Sequence, residues 1–151
     1  MTPQELESYI RSQIPALQGF ECRITALGPY NIRVDARLQD HLNHKGTGFG
    51  GSLYQVAIVA SYGLFLHLVR EAQIPTQDFV ISRGELHYRA PVESDFTAEL
   101  EVSKDEAQKF LNKLKTRGKA DLWMNTEIKT GNKLCAELHA RFVAFYTPAA
   151  N

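Results

Sequence analysis

Three features predict an α+β fold in which one curved antiparallel sheet of about six strands wraps around a single long helix. The segment from Ser52 to Val69 contains no Asp, Glu, Lys or Arg, as expected of a helix buried on nearly every side. Most other apolar segments alternate with polar residues at a period of two, the pattern of strands with one wet face. The connections between them are short, which suits antiparallel neighbours.

Taken in chain order, Thr2-Pro-Gln-Glu5 supplies a capping hydroxyl, proline at the first helical position and a carboxylate at the third. A first helix starts there, shows Leu6, Tyr9, Ile10 and Ile14 on one face, and stops at Pro15. Glu21 to Leu27 reads as a weak strand and Asn31 to Leu38 as a strong one, with Ile32, Val34, Ala36 and Leu38 facing inward and Gly28-Pro29 as the turn. A polar, glycine-rich loop leads to the long helix. Phe79 to Ala90 changes phase between Ile81 and Leu86, so a bulge or bend is expected near Gly84. Phe96 to Val102, Ala120 to Ile128 and Leu134 to Ala144 alternate cleanly, and Gly131-Asn132 makes the last two a hairpin. Between them, Ala107, Phe110, Leu111 and Leu114 mark a short amphipathic helix over Lys104 to Lys115.

The 151 residues, 44% of them hydrophobic, fit one domain over 1–151 without metals or disulfides. Seventeen basic and seventeen acidic residues cancel, so no overall field draws nucleic acid or an anionic membrane. Ser52, Tyr54, Gln55, Ser61, Tyr62, Gly63 and His67 make the long helix too polar for a lone membrane span. The polar start of the chain lacks a secretory leader, so a cytoplasmic location is expected, with Cys22 and Cys135 as reduced thiols within a sheet. A six-stranded sheet leaves open edges, which a homodimer, or a dimer of dimers, would close.

This order of elements, with the residues at the loop-helix junction, resembles the hotdog superfamily over roughly residues 20 to 146. Within it the chain is similar to the thioesterase domain fused behind an acetyltransferase in YiiD-type bacterial proteins. Asn43-x-x-Gly46-x-x-Phe49-Gly50-Gly51 resembles the Asn-x-x-Gly-x-x-His-Gly-Gly motif of phenylacetyl-CoA-type thioesterases. Tyr88-Arg-Ala-Pro91 and Gly131-Asn-Lys-Leu-Cys-Ala136 are similar to their strand ending and last hairpin. The resemblance implies hydrolysis of an acyl-CoA or acyl-carrier thioester, with no cofactor beyond the coenzyme A of the substrate, at a site on a dimer interface. Two positions depart from it. Phe49 stands where those enzymes have His, and Ile58 stands where they carry an acid on the helix, with no carboxylate between Ser52 and Val69.

Chemically, a helix beginning near Gly50 or Gly51 offers unpaired N–H groups and a positive dipole end to a thioester oxygen that gains charge during attack. The expected catalytic set is therefore Asn43, Gly50, Gly51 and Ser52. Asn43 either orients the water or thioester or closes an Asx-turn, and Ser52 either caps the helix or donates to the oxyanion. Phe49, Gln55, Ile58, Ser61 and Tyr62 are expected to line the substrate. Gln55, Ser61 and Tyr62 either stand in for the missing acid or are satisfied polar groups of a buried helix. Ser82 and Arg83, with Glu85 and His87, are candidates from the partner's third strand, and Asp40 and Asp78 are further candidates for the base. Pocket depth is expected to be set near Phe65 and Leu66. Lys104, Lys109, Lys113, Lys115, Arg117 and Lys119 either meet the coenzyme A phosphates or form a solvated face.

Other chemistries fit worse. His41 and His44 lack metal-site spacing, so no metal is expected. Gly46-Thr-Gly48-Phe-Gly50-Gly51 formally reads GxGxxG, but no buried parallel strand runs directly into it. A P-loop and a GxSxG elbow are absent. Two alternatives to hydrolysis stay open: a noncatalytic acyl-CoA or acyl-carrier binding module, and a dehydratase.

Overall fold

A computed structural model describes residues 1–148. The elements run α1 (Pro3–Gln13), β1 (Arg23–Leu27), β2 (Asn31–Ala36), α2 (Gly50–Glu71), β3 (Phe79–Tyr88), β4 (Phe96–Glu101), α3 (Lys104–Arg117), β5 (Lys119–Thr130) and β6 (Lys133–Phe145), with 3-10 turns at Pro15–Leu17 and Leu38–Asp40. All six strands join one antiparallel sheet in the order β1-β2-β4-β5-β6-β3. This is the α+β architecture expected from the sequence, and it leaves β1 and β3 at the edges.

The sheet's inner face and α2 make the core. Ile32, Val34, Ala98, Met124, Ile128, Leu138 and Phe142 are buried with Val56, Ala60, Leu64 and Phe65 of the helix. Phe65 is the hub, with ring centroids 5.4 Å from Phe79, 4.9 Å from Phe110 and 5.4 Å from Phe142. Burying one such ring stabilises the fold by about 2–3 kcal/mol. By length and composition α2 could cross a membrane, but 72% of its apolar stretch is buried inside the protein.

The first helix forms as expected: Thr2 Oγ1 accepts from Glu5 N–H at 3.1 Å and Glu5 Oε2 accepts from Thr2 N–H at 2.7 Å. Its buried Leu6 and Ile10 meet α2 at Gly63, where an added Cβ would lie 3.0 Å from Ile32 Cδ1 and 3.5 Å from Ile10 Cδ1. Glu7 ties α1 to β1 by accepting from Ile24 N–H at 2.9 Å. Arg11 clasps the connection, donating to the carbonyls of Leu17, Phe20 and Cys22 at 2.8–2.9 Å.

Tertiary contacts move several boundaries. β1 begins at Arg23, after Glu21 and Cys22 have given their carbonyls to His41 and Arg11. Cys22 therefore lies just outside the sheet, whereas Cys135 is inside β6; both thiols are free and buried. β2 ends at Ala36 and not Leu38, because Asp95 Oδ1 captures Leu38 N–H at 2.9 Å and the chain turns. The phase change in β3 is real, but the bulge lies between Ile81 and Arg83. Gly84 stays in register opposite Ala140. The last helix runs on to Arg117, closed by Gly118 in the left-handed region at φ 72°. The β5–β6 turn falls at Gly131-Asn132 as predicted, with Gly131 at φ 58°.

Candidate active site at the start of the central helix

The loop before α2 is short, polar and strongly held. Leu42 and Gly48 form an isolated bridge, Gly48 N–H donates to Val92 O at 2.8 Å, and Phe49 N–H donates to His41 O at 2.7 Å. Gly48 approaches β-strand-flanking Val92 so closely that a Cβ would sit 2.9 Å from the valine Cβ. His41 anchors the other side. It is 4% exposed, its Nε2 donates to Glu21 O at 2.6 Å, and its ring lies between Phe20 and Phe96.

Asn43 is the clasp of this loop. Its Oδ1 accepts from Lys45 N–H at 2.9 Å and Thr47 N–H at 3.0 Å, while Nδ2 donates to Thr47 Oγ1 at 2.8 Å and Gly48 O at 3.4 Å. Of the two roles open to it, this geometry is the Asx-type closure, and it leaves no amide group free to orient a water.

Phe49 is the N-cap of α2, extended at φ −67°, ψ 128°, with no side-chain cap. The first intrahelical bond is Leu53 N–H to Phe49 O at 3.0 Å, so the N–H groups of Gly50, Gly51 and Ser52 find no acceptor among the described residues. Ser52 stands at the third helical position, where it cannot be the cap, and its hydroxyl makes no hydrogen bond among the described residues. Two aromatic rings flank the free amides. Phe49 lies over Gly51, whose Cβ would be 2.9 Å from the ring, and Tyr88 closes on Gly50, donating to its carbonyl at 2.8 Å. Both rings are more than half exposed, so the first turn of α2 lies open between them. An added Cβ at either glycine would crowd these rings.

Farther along α2, residues at i, i+4 and i+8 share a stripe: Gly50, Tyr54 and Ile58, then Tyr62. This stripe runs under β3. Tyr54 reaches Gly84, and Tyr62 packs at a tilt against Phe79 at 5.3 Å between centroids, with burial pushing its phenol above the usual pKa. Ile58 and Gln55 are half-buried. Ser61 does not belong to an accessible site: it is fully buried and its hydroxyl donates to Ala57 O at 3.0 Å within its own helix. Phe65 and Leu66 are sealed in the core at 0% and 1% exposure, so neither ends an open pocket.

Ser82 and Arg83 are not brought to the junction within one chain. Ser82 sits at the β3 bulge and is held by Arg141, accepting from Nη1 at 2.9 Å, while Arg83 is exposed beside it. Glu85 and His87 pair with each other at 3.4 Å, and His87 lines an outer cleft with Asn125 and His139. Asp40 is paired with Arg37 at 2.9 Å, and Asp78 is exposed just before β3. Of the basic residues near α3, Lys109 and Lys113 pair with Asp105 and Asp121. No cluster of three metal-ligating side chains occurs among the described residues. Sequence reasoning missed Tyr54 and Tyr88 as parts of this site. The spacing of Tyr54 from Gly50 was the available signal, whereas Tyr88 is distant in sequence and only folding brings it to Gly50.

With this geometry in view, the family is decided by a match to the family model described as "Putative thioesterase (yiiD_Cterm)", which spans residues 3–146. The chain belongs to this YiiD C-terminal thioesterase family. Solved structures share its fold. A protein of unknown function from Chlorobaculum tepidum is 22% identical with a TM-score of 0.86, covering 97% of this chain and 98% of its own. One from Pseudomonas aeruginosa, described as a probable thioesterase, is 19% identical with a TM-score of 0.81 and covers 97% of both chains. A "putative thioesterase" from Shewanella oneidensis is 21% identical with a TM-score of 0.80, covering 95% and 96%. No curated protein sequence matches this chain. The fold is thus the hotdog fold of these neighbours, and the family is thioesterase-like.

Proposed function

We propose that this thioesterase-family chain hydrolyses an acyl thioester of coenzyme A or of an acyl carrier, releasing the free thiol. The observation that carries the proposal is the first turn of α2, flanked by Phe49 and Tyr88, where three backbone N–H groups lack acceptors among the described residues. Such donors hold a thioester carbonyl weakly and its oxyanion strongly, which is how catalysis arises from differential binding. Phe49, Gln55, Ile58 and Tyr62 would bound the acyl side, and coenzyme A enters only as part of the substrate. We propose a homodimer, alone or as a dimer of dimers, that covers the edge strand β3 and brings Ser82 and Arg83 toward the neighbouring subunit. Exposed Val80 and Ile81 on that edge favour an apolar partner.

The test is thiol release from short, long and aromatic acyl-CoAs. Turnover of any class above the spontaneous rate supports hydrolysis. A Gly50→Pro variant removes one N–H at a position where proline fits, since the preceding Phe49 is already extended. Gly50→Ala keeps the N–H and carries the same crowding against Tyr88. A rate about 100-fold lower for proline than for alanine is expected if this amide holds the oxyanion. The absence of any carboxylate on α2 before Glu71 favours a second reading, a noncatalytic acyl-thioester binding module. Saturable binding without thiol release for every acyl-CoA would establish it in place of hydrolysis. A folded monomer in light scattering at micromolar concentration would remove the interface from the proposal.

A further inference from the structure

If the chain hydrolyses thioesters, its site is short of acids but not of donors. α2 has no carboxylate before Glu71, Asn43 is fully engaged in its loop, and Ser61 is bonded to its own helix. Two hydroxyls on the same stripe as Gly50 have no hydrogen-bond partner among the described residues, those of Tyr54 and Tyr62, and Tyr62 lies more than three turns along, against Phe79. Tyr54 is one turn beyond Gly50, half-buried, and its hydroxyl has no hydrogen-bond partner among the described residues.

Its placement is built into the fold. An ideal Cβ at Gly84 would overlap the Tyr54 hydroxyl and lie 3.2 Å from the ring Cζ, so the edge strand lacks a side chain where the phenol rests. Gly84 has no positive φ, so neither a turn nor backbone strain accounts for glycine there. Tyr88 is close by. Burial, together with the neighbouring Tyr54 phenol, holds the Tyr88 pKa above its usual value, and Tyr88 itself is occupied by the Gly50 carbonyl. Tyr54 is therefore, with Ser52, a neutral O–H donor without a partner among the described residues on the first two turns of α2, next to the Tyr88 phenol that reaches Gly50.

We propose that Tyr54 is a catalytic residue of this site, its hydroxyl donating to the thioester oxygen alongside the α2 amides as that oxygen becomes an oxyanion. The step balances without a residue-bound intermediate. A hydroxide oxygen, or a water oxygen that releases one proton to solvent as it adds, bonds to the acyl carbon and the carbonyl electron pair moves onto oxygen, where Tyr54 and the amides hold it. Collapse of the oxyanion then breaks the carbon–sulfur bond. The thiolate leaves with the electron pair and takes up a proton from solvent, and the acid product retains the attacking oxygen. Tyr54 keeps its proton throughout.

The experiment compares wild type with Tyr54→Phe, with Tyr88→Phe as a second variant, on the best acyl-CoA from the panel. Tyr54→Phe keeps the ring on Gly84 and loses no hydrogen bond among the described residues, so its thermal unfolding should match wild type. The expected result is a fall in kcat of at least about tenfold, with KM within about threefold, because the lost contact forms chiefly in the transition state. Tyr54→Phe retaining wild-type kcat would overturn the assignment while leaving hydrolysis intact. A fall in kcat matched by an equal loss of folding stability would overturn it too, since that marks a structural role. Absence of turnover in wild type with every acyl-CoA would instead overturn the proposed hydrolysis, and Tyr54's role with it. A fall confined to Tyr88→Phe would assign catalytic support to the Gly50 carbonyl contact and remove Tyr54.

Discussion

Replacing Gly84 with alanine tests the seat of Tyr54 by stability alone. In a strand with ordinary backbone angles, alanine is normally favoured over glycine by about 0.5–1 kcal/mol, because glycine loses more freedom on folding. Against that, the new methyl would overlap the Tyr54 hydroxyl and stand 3.2 Å from both Tyr54 Cζ and Ile81 Cδ1. Moving a half-buried ring out of the way is an overpacking cost of about 1–3 kcal/mol. The difference predicts that Gly84→Ala destabilises the protein by about 0–2.5 kcal/mol. With Tyr54 truncated to alanine only the 3.2 Å approach to Ile81 Cδ1, the end of a flexible side chain, remains, and the same substitution should become neutral or stabilising by up to about 1 kcal/mol. Urea unfolding of the four variants at one protein concentration gives the coupling directly as a double-mutant cycle. Equal effects of Gly84→Ala in the two backgrounds would refute the reasoning, because they would mean that Tyr54 does not occupy the space over Gly84.

Two further outcomes follow from buried groups. His67 is 6% exposed, its Nδ1 has no hydrogen-bond partner among the described residues, and burial lowers its pKa below the ordinary 6.5, outweighing Glu71 at 4.0 Å. A depressed histidine pKa means that the unfolded chain binds the proton more readily. Stability is therefore full above about pH 6.5 and declines as pH falls below it. His67→Phe should flatten the urea midpoint between about pH 7 and pH 5; an unchanged pH dependence would show that His67 is not its source. Cys22 is buried beside Arg11 and its thiol is pushed up to about 11, chiefly by loss of solvation. At pH 8 a thiol reagent should leave both buried cysteines unlabelled in the native protein and label both in denaturant. Rapid native labelling at Cys22 would contradict the packing of α1 over it.

Much of this protein was determined by the sequence alone, and the reason is periodicity. The charge-free run before Arg70 specifies a buried helix, the alternation in β2, β4, β5 and β6 specifies half-buried strands, and Gly131-Asn132 specifies their last turn, all through interactions between near neighbours. The loop-helix junction was legible for the same reason, since Asn43, Phe49, Gly50 and Gly51 are contiguous. Tertiary structure decided what depends on distant segments meeting. Asp95 ends β2 by capturing Leu38, Arg11 and His41 hold the residues before β1, and Ser61 turns its hydroxyl back on its own helix because the core around it is apolar. Only the folded sheet brings Tyr88 to Gly50 and Gly84 under Tyr54. Local pattern encodes each element's type and buried face, but which hydroxyl stays free at the head of the helix depends on an edge strand whose position is set by the whole sheet.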